Sequence, residues 1–591
     1  MRRSPPWENR KTLLGVTGLA LGVSTFETFR ALSRLIRGLR VRGWNSLCRI
    51  ASGHEHYYSR WVEVAEPKHF ARYCDDREAA ATPDMPACIV LGRDREAGGV
   101  KCSIESLRAA FGEDVPIWTV GFDYPNCRAF AQAPSVSLFE GLKFIDRTQS
   151  KFRWLLPVRA GDQIAVRARQ ILDTTENTSV KAPVMYWDSD EIHQGVRCNP
   201  WIKGDWDPLM YLARDTISGS GMLALETALE IAARRPDLML DEVGIATLGM
   251  EMVAADPAVS PVHVPIILSH HGSPEDFCGN GQWSGIIART WQTPVVATPR
   301  EDVRQFHRVE PAAPPQWPSV AIIVPTRDRP ELLAACLAGL ARLEYPGTVE
   351  LVIVDNGSTD IAAIELLNQL RNSGKAKLIR EDGPFNFAAL NNRAVEQTSA
   401  QLLCLLNNDV EALDGVWLTA MVRHAVQSQV GAVGALLFYP NGTIQHAGVT
   451  LGTGGAAGHF ARHTLPCDQR FFAWHGVTRR VSATTAACMV VARDDYVAVG
   501  GLDEQAFPVA FNDIDFCLRL QKAGRINIFV AEARLIHHES VSRGSDHDPV
   551  NAERFRAELS RFRTRWDSAN CTDPYFSPLF SRSAEQCLLA F

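Results

Sequence analysis

Val320-Ala321-Ile322-Ile323-Val324 runs without a polar residue into Pro325-Thr326-Arg327-Asp328-Arg329. A short apolar run, mostly β-branched and closed by a proline and polar residues, reads as a strand buried on both faces of a sheet. Helix-compatible sequence follows, then a second strand, Leu351-Val352-Ile353-Val354, ending in Asp355-Asn356-Gly357-Ser358-Thr359. A third, Leu402-Leu403-Cys404-Leu405-Leu406, ends in Asn407-Asn408-Asp409. Strands alternating with helices predict an α/β domain with a mostly parallel sheet, and such sheets bind ligands at the carboxyl ends of their strands. That rule places the chemistry at Asp355 and Asp409.

Each strand end has two readings. The Asp355 segment can hold a nucleobase or ribose, or be an Asn-Gly turn whose aspartate caps a helix. Asp409 can bridge a hard divalent cation to a diphosphate, which needs only one or two protein carboxylates, or be a turn residue. Further along, Phe511-Asn512-Asp513-Ile514-Asp515-Phe516-Cys517-Leu518-Arg519 sets two carboxylates at a helix start, with Gly524 as the stop. Two positions apart they face different ways, so one can face a cleft while the other pairs with Arg519. His537-His538-Glu539-Ser540-Val541-Ser542-Arg543-Gly544 follows another apolar strand. A histidine there can complete a metal site, with Ser542 and Arg543 on phosphate, or be structural. Gly452-Thr453-Gly454-Gly455 reads as a mobile loop or as flexible-linker composition.

The same order of signals occurs earlier in the chain. Ile89-Val90-Leu91-Gly92-Arg93-Asp94-Arg95 matches Ile323-Val324-Pro325-Thr326-Arg327-Asp328-Arg329, and residues 116–120 match 351–354. Residues 152–162 match 402–409, each ending in aspartate, and Ile266-Ile267-Leu268-Ser269-His270-His271 echoes Arg534-Leu535-Ile536-His537-His538. Ordered matches of this kind predict an internal duplication. In the first copy Gly121 stands where the second has Asp355, and Leu240-Asp241-Glu242 is the nearest counterpart of the Asp513 segment.

Composition bounds the rest. A chain of 591 residues is too long for one ordinary core, and 46% apolar with 22% charged residues is that of a folded protein. A formal charge of −6 gives no field for a polyanion, so nucleic acid is not an expected partner. The 14 cysteines form no Cys-x-x-Cys pair, which suggests buried thiols in a reducing compartment rather than a disulfide or zinc framework. Residues 13–24 are apolar but too short to span a bilayer, and Arg30, Arg34 and Arg37 fall on one helical face. That stretch reads as an amphipathic segment able to contact a membrane, or as a solvated basic face.

Taken in order, the Pro325 to Arg329, Asp355 to Ser358, Asn407 to Asp409, Asn512 to Arg519 and His537 to Gly544 motifs resemble family-two glycosyltransferases of the GT-A fold. Phe385-Asn386-Phe387, Asn391-Asn392 and Asp573-Pro574-Tyr575 belong to the same resemblance. It covers residues 318–580 and is nearest to bacterial enzymes of O-antigen and other surface-polysaccharide assembly. It implies two tandem GT-A domains, the first divergent: a partly helical extension (1–86), a divergent domain (87–305), a proline-rich linker (306–318), a catalytic domain (319–580) and a tail (581–591).

The resemblance further implies Asp513 as the catalytic base of an inverting transfer of hexosyl or rhamnosyl type. It implies a divalent cation, Mg2+ or Mn2+, at Asp409 with His537 or His538. The nucleotide-sugar contacts would be Pro325, Thr326, Arg327, Asp355, Asn356, Gly357, Ser358, Asn386, Asn392 and Asn408. Asn407 takes a position where the family often has a second acid. The implied partners are a nucleotide-diphosphate sugar and a glycan or lipid-linked saccharide, in the cytoplasm or at the inner face of its membrane. Two other classes remain open: a nucleotide-sugar or glycan-binding protein without turnover, and a sugar-phosphate nucleotidyltransferase. Against the latter, the chain has no recognisable Gly-rich triphosphate loop near its start.

Overall fold

Nine strands of the first half form one sheet among the described residues. They are β1 (Ala87–Leu91), β2 (Ile117–Val120), β3 (Arg128–Ala129), β4 (Trp154–Arg159), β5 (Gln163–Ile164), β6 (Val184–His193), β7 (Val196–Trp201), β8 (Gly221–Ala224) and β9 (Val262–His271). Their order is β3-β2-β1-β4-β8-β6-β9-β5, with β7 beside β6. A hairpin, β10 (Val295–Pro299) with β11 (His307–Pro311), follows.

The second sheet contains β12 (Val320–Thr326), β13 (Val349–Asp355), β14 (Lys377–Arg380), β15 (Leu402–Leu406), β16 (Val410–Ala412), β17 (Val430–Phe438) and β18 (Ile444–His446). After a small pair, β19 (Val449–Leu451) and β20 (Ala457–His459), it adds β21 (Arg479–Val481), β22 (Cys488–Ala492) and β23 (Ile526–His537). The order is β14-β13-β12-β15-β22-β17-β23-β16, with β18 beside β17 and β21 beside β23.

This is a computed structural model of the chain, and it describes residues 57–75, 85–92, 97–130, 136–148, 152–176, 182–255, 260–273, 277–291, 293–301, 305–467, 474–538 and 549–591.

The two sheets repeat one another, except that β21 beside β23 has no counterpart in the first. In each, the opening strand pairs in parallel with its two neighbours (β1 with β2 and β4; β12 with β13 and β15). One strand then runs antiparallel to both flanks (β8, β22), and a long parallel pair follows (β6 with β9; β17 with β23). All four matched segments lie on equivalent strands. The apolar runs form these strands because helices cover both sheet faces: every residue of β1 and β12 is buried.

The halves share a core. Tyr211, Ile217 and Phe306 of the first cluster with Phe460, Trp474, Phe529 and Phe576 of the second. Polar contacts reinforce the joint: the Asp205 N–H donates to the Pro574 carbonyl (2.8 Å), and Asp207 Oδ2 accepts from the Arg480 N–H (2.8 Å). The helix Tyr57–Val64 docks on the tail, with Trp61 Nε1 donating to the Ala590 carbonyl (2.8 Å).

Some expectations change. His307–Pro311 lies in the expected linker but forms β11, and Phe306, His307 and Val309 are buried in the first half's core, so the connecting stretch starts near residue 312. Gly452-Thr453-Gly454-Gly455 is pinned rather than loose. Arg563 donates to the Gly454 and Gly455 carbonyls (3.1 and 3.0 Å), and Thr453 is buried. The apolar and basic stretch at residues 13–40 lies outside the described residues, as do Ser542 and Arg543. No helix among the described residues is long and apolar enough to cross a membrane.

Candidate active site at the strand ends of the second sheet

Strands β12, β13 and β15 deliver Thr326, Asp355 and the Asn407-Asn408-Asp409 turn to one end of the sheet, and hydrogen bonds lock these ends together. Asn408 Nδ2 donates to Thr326 Oγ1 (3.0 Å), and the Asn356 N–H donates to the Thr326 carbonyl (2.8 Å). Asp355 is buried. Its Oδ1 accepts from the Ser358 N–H (2.9 Å), and its Oδ2 is 2.7 Å from the half-exposed Arg380 guanidinium at the end of β14. Gly357 closes this turn at φ 71°, a left-handed conformation that a side chain disfavours.

Pro325 is buried within β12, and Arg327 is exposed beyond it. Asp328 was given no role from sequence, yet its carboxylate accepts from the N–H groups of Asp360 and Thr359 (2.8 and 2.7 Å). Those two donors hold it below the ordinary carboxylate value.

Asp409 is buried at the end of β15, and Val410, the next residue, pairs with His537 across β16 and β23. That register brings His537 Nε2 to 3.1 Å from Asp409 Oδ1. His538 is turned elsewhere: its Nε2 lies 3.7 Å from Glu411, and only its backbone N–H reaches the Asp409 carbonyl (3.0 Å). Of the two histidines proposed for the metal, one is at the aspartate. His537 Nδ1 is 2.7 Å from Gln445 Oε1, and Asn407 Nδ2 is 3.4 Å from His537 Nε2.

The Oδ1 atoms of Asp409 and Asn407 are buried and accept no hydrogen bond, which is costly unless a cation or donor meets them. Among the described residues no group of three or more His, Cys, Asp and Glu side chains is placed to hold a metal. One carboxylate and one imidazole nitrogen suit a divalent ion that takes its other ligands from diphosphate and water. The residues present therefore fit a divalent cation that takes its remaining ligands from outside the protein.

The helix Asn512–Lys522 separates the two carboxylates as its start predicts. Asp515 is fully buried and structural, bonded to Arg519 (2.8 Å), Arg565 (2.9 Å) and Trp566 Nε1 (3.0 Å). Asp513 stays half-buried, and its Oδ2 accepts from the Ala486 N–H (3.1 Å). The neighbouring Ala487 carbonyl accepts from the Asn407 N–H (3.0 Å), so the chain of contacts ties Asp513 to the Asp409 turn.

Phe511, which caps this helix, is left-handed at φ 63°, a strained position for an aromatic residue. Buried Glu558 holds it there by accepting from the Val509 and Ala510 N–H groups (3.0 and 3.2 Å), and the Phe511 ring stacks on Phe562.

Asn386 and Asn392 are employed differently from the expectation. Asn386 Oδ1 caps the helix Phe387–Glu396 and its Nδ2 donates to the Glu504 carbonyl (3.0 Å). The Asn392 amide bonds Tyr496, Glu504 and both backbone groups of Leu502. Both asparagines tie the loop at residues 502–504 to the helix Phe387–Glu396, and the Asn392 amide is occupied by those bonds. Conversely, sequence reading missed Arg380, Gln445 and Glu558.

Residues 321–485 match the family described as Glycosyl transferase family 2. The uncharacterized protein y4gI of Sinorhizobium fredii is 34% identical over 417 residues, 67% of this chain and 45% of that protein. O-antigen biosynthesis protein RfbC of Myxococcus xanthus is 33% identical over 418 residues, 68% of this chain and 32% of that protein. The chain thus spans less than half the length of either relative. Among solved structures, a mannosyltransferase of Pyrobaculum calidifontis in complex with GDP-Man and Mn2+ is similar, with a TM-score of 0.34 at 18% identity over 49% of this chain and 71% of that one. Residues 321–485, which carry the strand ends of Thr326, Asp355 and Asp409 gathered at one end of the second sheet, thus match glycosyl transferase family 2.

Proposed function

We propose that the second half transfers a sugar, with inversion, from a nucleotide-diphosphate donor to a hydroxyl of a glycan or lipid-linked saccharide in bacterial surface-polysaccharide assembly. The observation that carries this reading is the meeting of Asp409 Oδ1 and His537 Nε2, 3.1 Å apart, at a strand end that Ala486 and Ala487 link to Asp513. A divalent cation held by Asp409 and His537 would offset the charge on the departing nucleotide diphosphate.

The protein's own residues do the rest. Asp355, Asn356, Gly357 and Ser358 form the cradle for base and ribose, with Pro325, Thr326, Arg327 and Asn408 along its edge. Asp513 takes the acceptor proton as the hydroxyl attacks the anomeric carbon, and no covalent enzyme intermediate is needed. The similarity to a protein named for O-antigen biosynthesis supports the polysaccharide setting. The first half, residues 87–311, keeps the fold without donor chemistry and serves the acceptor glycan. The apolar and basic stretch at residues 13–40 would bring the enzyme to the inner face of the membrane.

The test uses the full chain. Common UDP-, GDP- and dTDP-sugars are screened for slow hydrolysis with Mg2+ or Mn2+ and no acceptor. Hydrolysis of one donor, abolished by chelator, is the expected result. Absence of both hydrolysis and donor binding across the panel would overturn the reading.

A further inference from the structure

Gln445 belongs to β18, at the point where its register against β17 shifts. His446 pairs with Leu437 and Ile444 with Phe438, so Gln445 is an inserted residue between consecutive pairs. Such a bulge re-aims a side chain out of the regular alternation. Here the side chain is buried, with 3% exposure, and its Oε1 lies 2.7 Å from His537 Nδ1. An amide oxygen only accepts, so the imidazole proton sits on Nδ1. The Asn407 amide nitrogen, 3.4 Å from Nε2, faces the other ring nitrogen with a donor and favours the same tautomer. Nε2 is then the unprotonated nitrogen, 3.1 Å from the Asp409 carboxylate. Two ligand atoms each roughly 2.1 Å from one octahedral cation and at right angles to one another stand about 3.0 Å apart.

We propose that Gln445 is a positioning residue, holding His537 in the tautomer and orientation whose Nε2 completes a divalent-cation site with Asp409. This rests on the proposed metal-dependent reading of the site. The first half lacks the arrangement, because there the histidine at the equivalent register position, His270, meets a carboxylate, Asp190, at 2.5 Å. Asp190 also accepts from Arg197 (2.6 Å) and Tyr58 (2.5 Å), so His270 is tied into an ion-pair network away from Asp162.

The experiment measures Mn2+ binding to the full chain by electron paramagnetic resonance, with and without UDP, in the wild type and in Asp409→Asn, His537→Ala, Gln445→Met and Gln445→Glu. Gln445→Met removes the acceptor at similar volume and is expected to weaken Mn2+ binding by roughly 10- to 100-fold. Gln445→Glu, which still accepts from Nδ1, should retain affinity within a few-fold.

If Asp409→Asn and His537→Ala leave Mn2+ binding unchanged, the metal reading fails and takes Gln445 with it. If they weaken it while a folded Gln445→Met does not, the role of Gln445 alone is overturned. Should Gln445→Met fail to fold, the tautomer decides on wild-type protein. 15N spectra of labelled histidines, assigned through His537→Ala, should show the Nδ1–H form, and an Nε2–H form refutes the proposal.

Discussion

Asp162 and Asp409 occupy the same place in two sheets of similar topology and are equally buried, yet the first has both oxygens bonded and the second keeps one unsatisfied. Each is followed at once by a short strand antiparallel to the last long one, with Gln163 opposite His270 and Val410 opposite His537. In the second half the residue at that register position, His537, turns to the aspartate. In the first half the following residue does so instead: His271 Nδ1 is 2.9 Å from Asp162 Oδ2. The Gly272 N–H takes Asp162 Oδ1 at 3.0 Å, and Arg159 stands 3.5 Å away.

Burial pushes the Asp162 carboxyl up, but His271 and Arg159 outweigh it and hold the group below the ordinary carboxylate range. A fixed guanidinium and a spent imidazole thus stand where the second half presents an unsatisfied oxygen. Nearby, the Phe122 ring lies so close over Gly92 that a Cβ there would stand 2.6 Å from it, closing the strand end where the second half has Thr326. The difference between the copies is therefore local: one-residue shifts and substitutions at strand ends, with the sheet unchanged.

The comparison can be broken at several points. The largest effect is expected at Asp513. Asp513→Asn should lower kcat by about 10^3-fold while leaving donor affinity intact, since loss of a general base is worth roughly 10^2- to 10^4-fold. Equal transfer by the variant would remove the base from Asp513.

The paired aspartates should then part company. Asp409→Asn should abolish the response of transfer to added Mn2+. Asp162→Asn should leave the transfer rate unaltered and cost about 3 kcal/mol of stability in urea unfolding, because it breaks a buried charge pair. A metal-affinity loss in Asp162→Asn would contradict the fully bonded reading of Asp162.

Acid also tests the paired carboxylates of the first half. Asp162 and Asp190 both lie below the ordinary value of 3.8 when folded, so they contribute stability above that value which is lost as pH falls through and below it. Near-UV circular dichroism of the first half's tryptophans should report this acid loss, blunted in Asp162→Asn.

A smaller effect concerns Lys203, buried between the halves, whose ammonium burial pushes down to about 7. Folded protein binds fewer protons there than unfolded chain, so stability should rise with pH from about 7 toward the ordinary value of 10.5. Lys203→Met should flatten that rise in the thermal midpoint, and an unchanged slope would count against it.

Much of this was legible in the sequence because parallel strands announce themselves as apolar runs and their carboxyl ends carry the chemistry. The Val320 run, the Asp355 turn, the Asp409 turn and the duplication were all read that way. So was the pairing of Asp515 with Arg519, from helical spacing. What stayed hidden depends on registers between distant strands. His537 and His538 are indistinguishable until β23 is paired with β16, and the shifted partnership of His271 has the same His-His signature. Asn386 and Asn392 look like ligand-binding amides, but an amide that staples a loop has the same sequence. Gln445 acts through a bulge, which no local pattern marks, and Glu558 acts on a loop it meets only in three dimensions.

The core shared by the two halves has a consequence of its own. Aromatic side chains from both sides interlock, and the Asp205 and Asp207 contacts stitch the same joint. Such an interface is what an obligate homodimer has, here fused into one polypeptide whose protomers have diverged. Severing the chain near residue 312 would not release two independent enzymes. It would bare a contiguous apolar face on each, and aggregation is the expected fate. The first copy is then best understood as a tethered subunit, its retention secured by the partner it keeps folded.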